Sequence, residues 1–370
     1  NFPEGWFNDE GFQGGSGFYP GSSPEAHAIL EFFTNHRNIL LVQSFHTSGG
    51  FTYRPFARWS DSEIHAKDLG VFDGIMKPKY EELHGDDATD DLWRQPYNTE
   101  ADRAYGYGIF IDWAYAQYGA YSMTTELWRW SRDTRGLPGY EGEDDRAAWY
   151  GAILENGSAV TDETLFVPWE SYNHPEYGQG DVGGFVSKYV GGNALPGESL
   201  LHVADIHWQF ELWKAGLLPR LEITDASAEL LTTADNGTRM VKVTATVTNT
   251  GPLATQVARG AELAGNREDA IWLLADRDRI KYLQGASWQA LGVLEGTMEI
   301  PGYQPPPSTG EEDEGGGGWY SQTAPPEAKV EGTGNTRTVT WLVSLDGNVP
   351  LKLILTSQRG GTRVQNLTVR

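Results

Sequence analysis

The sequence predicts an α/β region followed by an all-β region, and three observations support this division. Before Pro219, apolar residues recur at helical spacing in several segments and also form short continuous runs typical of buried strands. After Pro219, the spacing changes to the alternation of half-buried strands, as in residues 241–247. At least seven short strand-like segments separated by turns follow, which is typical of a β-sandwich. We therefore expect one domain over residues 1–218 and a second over 219–370.

Capping residues and periodicity predict the helices of the first region. Ser23 is a favourable N-cap and Pro24 suits a first helical turn, so a helix is expected from Pro24 to about Asn35. Residues 60–82 have roughly helical spacing. A further helix is predicted over 200–216, because a set of apolar residues shares one face and a glycine ends it. That set is Leu201, Ala204, Trp208, Leu212 and Ala215.

Two predicted strands carry the candidate chemical groups. A continuous apolar run, Ile39 to Val42, predicts a strand that ends at His46. A β-favouring run over Tyr121–Trp128 predicts a second strand, which delivers Glu126. A lone histidine or glutamate near a strand end is usually an ordinary polar residue, so position alone does not make either one catalytic.

Five short segments occur in an order that is informative as a set. They are Asn1-Phe2-Pro3, Ser44-Phe45-His46-Thr47, Tyr53 with Pro55, Ile111-Asp112-Trp113 and Thr124-Thr125-Glu126-Leu127. Together they resemble the zinc carboxypeptidase family, the carboxypeptidase A-like metallopeptidases, over residues 1–128. The resemblance implies that the first region is the C-terminal part of a mixed-sheet catalytic domain. The second region is similar to the immunoglobulin-like appendages attached to some bacterial metallopeptidases.

The resemblance also implies a function and a role for each candidate residue. The family hydrolyses C-terminal residues from peptides or proteins and uses zinc, for which His46 would be a ligand and Glu126 the general base. Tyr105 or Tyr107 would contact the bound substrate, and we prefer Tyr105. Ile111 would form the floor of the pocket for the substrate side chain, where an apolar residue disfavours a basic group.

Part of the family's site has no counterpart in this sequence. In the family, two further zinc ligands come from a His-x-x-Glu motif, and an arginine binds the carboxylate of the substrate. Both lie upstream of the family position that Asn1 matches. None of the eight histidines here is followed three residues later by Glu. We therefore expect these 370 residues alone to be inactive.

Charge and composition exclude several classes of partner. The net charge of −23 argues against nucleic acid and anionic membranes, because phosphates would be repelled. No run of about 18 apolar residues is present, so no membrane span is expected. The absence of cysteine excludes disulfides and leaves His and carboxylates as metal ligands. A secreted or periplasmic location is predicted, and the oligomeric state stays open.

Two alternatives to an active peptidase stay open at this point. One is a non-catalytic peptide-binding relative that has lost its metal site, and the other is an adhesion protein whose front domain is only a scaffold.

Residues 301–327, rich in proline, glycine and acidic residues, are expected to form a mobile loop.

Overall fold

The computed structural model describes residues 1–11, 14–88, 90–128, 166–185, 198–304 and 328–370. In its front part the helices are α1 (Pro24–Asn35), α2 (Ala66–Val71), α3 (Lys77–His84), α4 (Phe110–Trp113) and α5 (Glu198–Gly216). The strands there are β1 (Leu41–Ser48), β2 (Phe51–Tyr53), β3 (Trp93–Arg94), β4 (Tyr121–Trp128), β5 (Phe166–His174) and β6 (Gly178–Phe185). Short 3₁₀ turns (Asp61–Glu63 and Gly85–Asp87) and π-helical turns (Phe72–Met76 and Ala114–Tyr118) complete this part.

The front sheet is mixed and has the strand order β1-β4-β2-β3. Strands β1 and β4 are parallel, β2 is antiparallel to β4, and β3 is parallel to β2. Strands β5 and β6 form a separate hairpin. The structure thus combines helices with a mixed sheet, in agreement with the α/β prediction for this part of the chain.

Several local predictions are confirmed by the bounds of the elements. Helix α1 covers Pro24–Asn35, and the Ser23 hydroxyl accepts the Ala26 N–H as an N-cap. Strand β4 covers Tyr121–Trp128, as expected. The strand that was expected to end at His46 continues to Ser48, so His46 lies two residues inside the end of β1.

The predicted helix over 60–82 is instead a series of helical segments that begins with a 3₁₀ turn and continues through α2, a π-helical turn and α3. Gly70 and Gly74 leave room here for residues 300–301, which pass close to the helix. A Cβ atom at Gly70 would lie 2.5 Å from a methyl group of Ile300, and one at Gly74 would lie 3.1 Å from Pro301.

Helix α5 corrects an expectation about which of its faces is buried. The apolar residues predicted to share a face lie on the solvent side, where Leu201 is 69% exposed and Trp208 is 61% exposed. The buried apolar residues are instead Val203, Ile206 and Phe210, and His207 and Lys214 are buried with them. The helix is apolar around most of its circumference, so periodicity alone does not select the side that packs against the sheet.

The second part of the chain is a sandwich of antiparallel sheets. Its elements are β7 (Leu221–Thr233), β8 (Thr238–Asn249), α6 (Ala258–Ala261), β9 (Asp269–Leu274), β10 (Ile280–Gln284), β11 (Trp288–Gly292), β12 (Lys329–Glu331), β13 (Thr336–Asp346), β14 (Leu351–Ser357) and β15 (Gly361–Leu367). One sheet has the order β10-β13-β8-β7 with β12 added to β13, and the other has the order β11-β9-β14-β15. Alternate residues of both sheets share one apolar core.

Two short strands of the sandwich, β11 and β12, are absent from the sequence prediction. Most of the predicted mobile loop over 301–327 lies outside the described residues, so that expectation stays a prediction. The division at residue 218 also stays a prediction, since Leu253 and Val257, beyond that point, pack into the core of the front part.

One buried carboxylate connects the two parts of the chain. Asp68, which is inaccessible to solvent, lies in α2 of the front part. It accepts the backbone N–H groups of Ala258 and Arg259, both at 2.9 Å, and the hydroxyls of Tyr115 at 3.0 Å and Tyr121 at 3.2 Å. Because donors from both parts converge on it, Asp68 holds α6 against the front core.

Removing this carboxylate tests the connection. In Asp68→Ala, four donors lose their acceptor inside the core, and each buried unsatisfied group costs about 1–3 kcal/mol. We expect a loss of at least about 3 kcal/mol in the free energy of unfolding, measured as a lower urea midpoint. Asp235→Ala, in an exposed turn, is the control and should leave the midpoint nearly unchanged. Equal midpoints for the two variants would contradict the connecting role.

Candidate active site

The candidate site lies on the parallel pair of strands β1 and β4, where His46 and Glu126 are register partners. Their side chains lie on the same face, and His46 Nδ1 is 3.6 Å from Glu126 Oε1. The imidazole is 62% exposed, whereas the carboxylate is only 18% exposed. The structure therefore brings together the two residues that the sequence singled out, with the imidazole on the solvent side of the pair.

A turn formed by Gly49 and Gly50 passes close to this pair. After β1 the chain crosses the end of β4, where the Gly49 N–H donates to the Trp128 carbonyl at 2.7 Å. Gly49 and Gly50 both have positive φ angles, of 148° and 69°. A Cβ atom at Gly49 would lie 2.8 Å from the Cβ of Glu126, so only glycine allows this close crossing.

Burial controls the protonation of Glu126. Desolvation raises the pKa of its carboxyl above the ordinary value, while His46 and a hydrogen bond from the Ser48 N–H act in the opposite direction. A carboxylate with a raised pKa accepts a proton more readily near neutral pH than an exposed one does. The environment of Glu126 is thus that of a potential general base.

The opposite face of these strands is tied to helix α5. The Thr52 and Thr125 hydroxyls lie 2.7 Å apart, and the Gln43 amide donates to the Thr125 hydroxyl at 2.9 Å. Lys214 of α5 donates to Gln43 Oε1 at 2.6 Å, and burial lowers the pKa of Lys214 to about 8. This chain of hydrogen bonds, completed by the Lys214–Glu211 ion pair at 2.8 Å, fixes the strands from behind.

The two candidate tyrosines have different surroundings. The exposed ring of Tyr105 lies 5.9 Å from the ring of Tyr53, whose Cα partner in β4 is Thr124, on the same face as Glu126. The ring of Tyr107 contacts Phe7 edge-on, with the ring centroids 4.7 Å apart. Tyr53 enters the sequence pattern only as a motif residue, and the structure places it on the face of the site.

Ile111 is almost completely buried at the start of α4. Its carbonyl accepts the Ser122 hydroxyl at 2.6 Å, and Ser122 lies on the same face of β4 as Glu126, four residues earlier. The backbone of Ile111 is therefore anchored to the strand that carries Glu126, and its side chain packs in the interior.

Asp112, the next residue, positions the loop that holds Tyr105. Its buried carboxylate accepts the Ala57 N–H at 2.9 Å and the Arg58 N–H at 3.1 Å. The Ala57 carbonyl in turn accepts the Tyr105 N–H at 2.8 Å. Desolvation raises the pKa of Asp112 to about 7, in spite of these backbone hydrogen bonds.

Side chains of the metal-binding types are not clustered in the described part of the chain. Within the ranges given above, no group of three or more His, Cys, Asp or Glu side chains is arranged to hold a metal ion. His46 is the exposed imidazole at the candidate site, whereas His174 accepts the Glu176 N–H at 3.1 Å in a turn.

Among the residues that the structure describes, no helix is both long enough and apolar enough to span a membrane.

Comparisons with known proteins match different parts of the chain. The family model described as Domain of unknown function (DUF8731) matches residues 220–368, a range that contains the described strands of the sandwich. Carboxypeptidase A1 of Mus musculus is 30% identical to this chain over 125 residues, which is 34% of this chain and 27% of that protein. The matched segment thus spans about a quarter of the length of this relative. Part of the chain is therefore distantly similar to part of a carboxypeptidase.

The buried carboxyl of Asp112 predicts a pH dependence of stability. Its pKa is about 7 in the folded protein and 3.8 in the unfolded chain, so between these values the folded state binds a proton that the unfolded state has released. Stability contributed by the neutral form is therefore lost as the pH rises from about 4 to about 7. Asp112→Asn should remove this loss.

The measurement is the free energy of unfolding at several pH values for both proteins. The difference between wild type and Asp112→Asn should fall with rising pH by at most about 1.4 kcal/mol per pH unit, and become constant above about pH 7. Asp235→Asn, in an exposed turn, should follow the wild type throughout. Parallel profiles for wild type and Asp112→Asn would show that Asp112 is ionised throughout this range.

Proposed function

We propose that this chain is part of a zinc-dependent metallocarboxypeptidase, which hydrolyses C-terminal residues from peptides or proteins. The observation that carries the proposal is the pairing of His46 with Glu126, 3.6 Å apart on neighbouring parallel strands. The distant similarity of part of the chain to a carboxypeptidase supports it. A secreted or periplasmic location belongs to the same proposal.

The donor chemistry of the site is compatible with zinc but incomplete. A neutral imidazole is a common zinc ligand, and the exposed ring of His46 is accessible for this role. The further ligands would come from outside the described residues. Zinc bound through His46 would polarise the scissile carbonyl of the substrate and activate a water molecule.

The residues of this chain would then act on the proton and the substrate. Glu126 takes a proton from the attacking water on its carboxylate and later passes it to the leaving amine. Tyr105 contacts the bound peptide from the loop that Asp112 anchors. Ile111 forms the apolar floor of the pocket for the C-terminal side chain, which disfavours lysine and arginine there because they would lack a counter-charge.

Glu126→Gln in the complete polypeptide tests the role of the general base. The amide has the shape of the carboxylate but does not accept the proton, so hydrolysis of a blocked dipeptide should fall by about 10²–10⁴-fold. Zinc content, measured on the same sample, should not change. Glu25→Gln, an exposed residue in the first turn of α1, is the matched control and should keep full activity. Unchanged hydrolysis in Glu126→Gln would refute the role.

Zinc binding by residues 1–370 alone provides a second test. With His46 as the one implied ligand among them, we expect weak zinc binding that is lost on dialysis, and no hydrolysis. His46→Ala should weaken it further, as measured by calorimetric titration of the metal-free proteins with zinc. Tight zinc at one ion per chain, retained in His46→Ala, would show that the metal is held elsewhere. No hydrolysis in the complete polypeptide, with zinc bound, would favour a non-catalytic peptide-binding or adhesion protein.

A further inference from the structure

The outer face of the β11-β9-β14-β15 sheet carries a row of apolar side chains that the packing of the sandwich does not use. The register places one residue from each strand side by side across this face. In strand order these residues are Trp288, Trp272, Ile354 and Val364. The core of the sandwich is built from the alternate residues of the same strands, such as Ile271 and Leu353.

The two tryptophans form an exposed aromatic surface. Their ring centroids are 6.1 Å apart and their planes are inclined by 35°. A cross-strand aromatic pair stabilises a sheet through ring contact. Trp288 nevertheless remains 48% exposed, and Trp272 is half-buried, so a large part of the paired indole surface faces solvent.

A groove of about 690 Å³ continues from this aromatic surface. Its floor is mainly apolar and belongs to β9 and β14, whereas its sides are polar and belong to the end of α1, the segment after it, the loop before β9 and the turn after β14. The floor contains Trp272, Leu274 and Ile354. The sides contain Asn35, Arg37, Arg267, Glu268 and Gln358.

Some of the polar groups are held in place before any ligand binds. The Arg37 guanidinium lies 4.8 Å from the centre of the Tyr118 ring, and its Nη2 donates to Asn266 Oδ1 at 3.2 Å. Gln358 Oε1 accepts the Arg267 N–H at 3.1 Å. The side chains of Arg267 and Glu268 are exposed, and neither takes part in an ion pair with another described residue.

This combination of groups matches the chemistry of a sugar chain. The C–H face of a pyranose ring packs against an indole ring, and its hydroxyls suit the planar amide, guanidinium and carboxylate groups along the sides. The groove carries both signs of charge, from Arg37, Arg267 and Glu268, and the net charge of −23 on the whole chain opposes the approach of a polyanionic glycan. We propose that the groove and the adjoining tryptophan pair bind a neutral saccharide chain.

A peptide is disfavoured as the occupant by the position of the groove. Peptides that bind to sheets usually add a strand to an open edge and use its backbone hydrogen-bonding groups. The groove floor instead lies on β9 and β14, which are internal strands with a partner on each side. The floor therefore offers side chains but no free strand edge to a ligand.

Binding of defined hexasaccharides tests the proposal on the chain as it stands. Cellohexaose, xylohexaose, maltohexaose and chitohexaose are titrated into the protein by isothermal calorimetry, with a heparin hexasaccharide as the polyanionic probe. We expect at least one neutral probe to bind with a Kd below the millimolar range, and the heparin probe to bind more weakly. Binding by none of the neutral probes, or tighter binding by heparin, would overturn the proposal.

Two variants identify the surface that binds. Trp288→Ala removes the exposed ring, and Glu268→Ala removes a hydrogen-bonding group from the side of the groove. We expect at least a tenfold loss of affinity for the first and at least a threefold loss for the second. Trp208→Ala, on the exposed side of α5, is the matched control and should bind like the wild type. Wild-type affinity in Trp288→Ala and Glu268→Ala, or a loss in Trp208→Ala, would overturn the proposal. These measurements are independent of zinc and of peptide hydrolysis.

Discussion

The parallel pairing of β1 with β4 is the constraint on which the rest of the site depends. Residues in register on adjacent strands share a face and lie about 5 Å apart, so the alignment alone is enough to bring an imidazole to a carboxylate. A shift of one residue in this register would send one of the two side chains to the opposite face. The hydrogen bonds from Thr125 through Gln43 to Lys214 lie behind the strands and hold them in place.

The two parts of the chain share a core as well as a connection. Asp68 accepts donors from both parts, and Lys67 donates to Glu295 Oε1 at 2.7 Å close by. Leu253 and Val257, from beyond the predicted boundary, pack against the helices of the front part. The sandwich thus supports the helices behind the candidate site, in addition to presenting its own outer surface.

Local signals in the sequence were sufficient for much of the fold. The cap at Ser23 sets the start of α1, and the β-favouring run over Tyr121–Trp128 sets β4, because both depend on neighbouring residues. The contact of His46 with Glu126 was predicted only through resemblance to a family, since their register is a long-range property. The partners of Asp112 are likewise distant in sequence, so its part in positioning Tyr105 became clear only in the structure.

The orientation of α5 shows that the spacing of apolar residues does not by itself determine which side of a helix is buried. Apolar residues lie on several sides of the helix, so more than one side could pack against the core. In the structure Val203 and Phe210 are buried, and Lys214 on the same side donates to Gln43 of β1. Strand β12 was missed because a segment as short as Lys329–Glu331 carries too few residues to establish an alternation. Strand β11 was missed because Trp288–Gly292 does not alternate apolar and polar residues.

The exposed apolar side of α5 has a consequence for how the protein behaves in solution. Leu201, Trp208 and Leu212 present a hydrophobic surface on a molecule of strong negative charge. At low ionic strength, mutual repulsion keeps such molecules apart, but at 1 M salt the screening length falls to about 3 Å and this protection is lost. Purification and storage at low salt therefore favour a dispersed sample, and salting steps favour self-association through this helix.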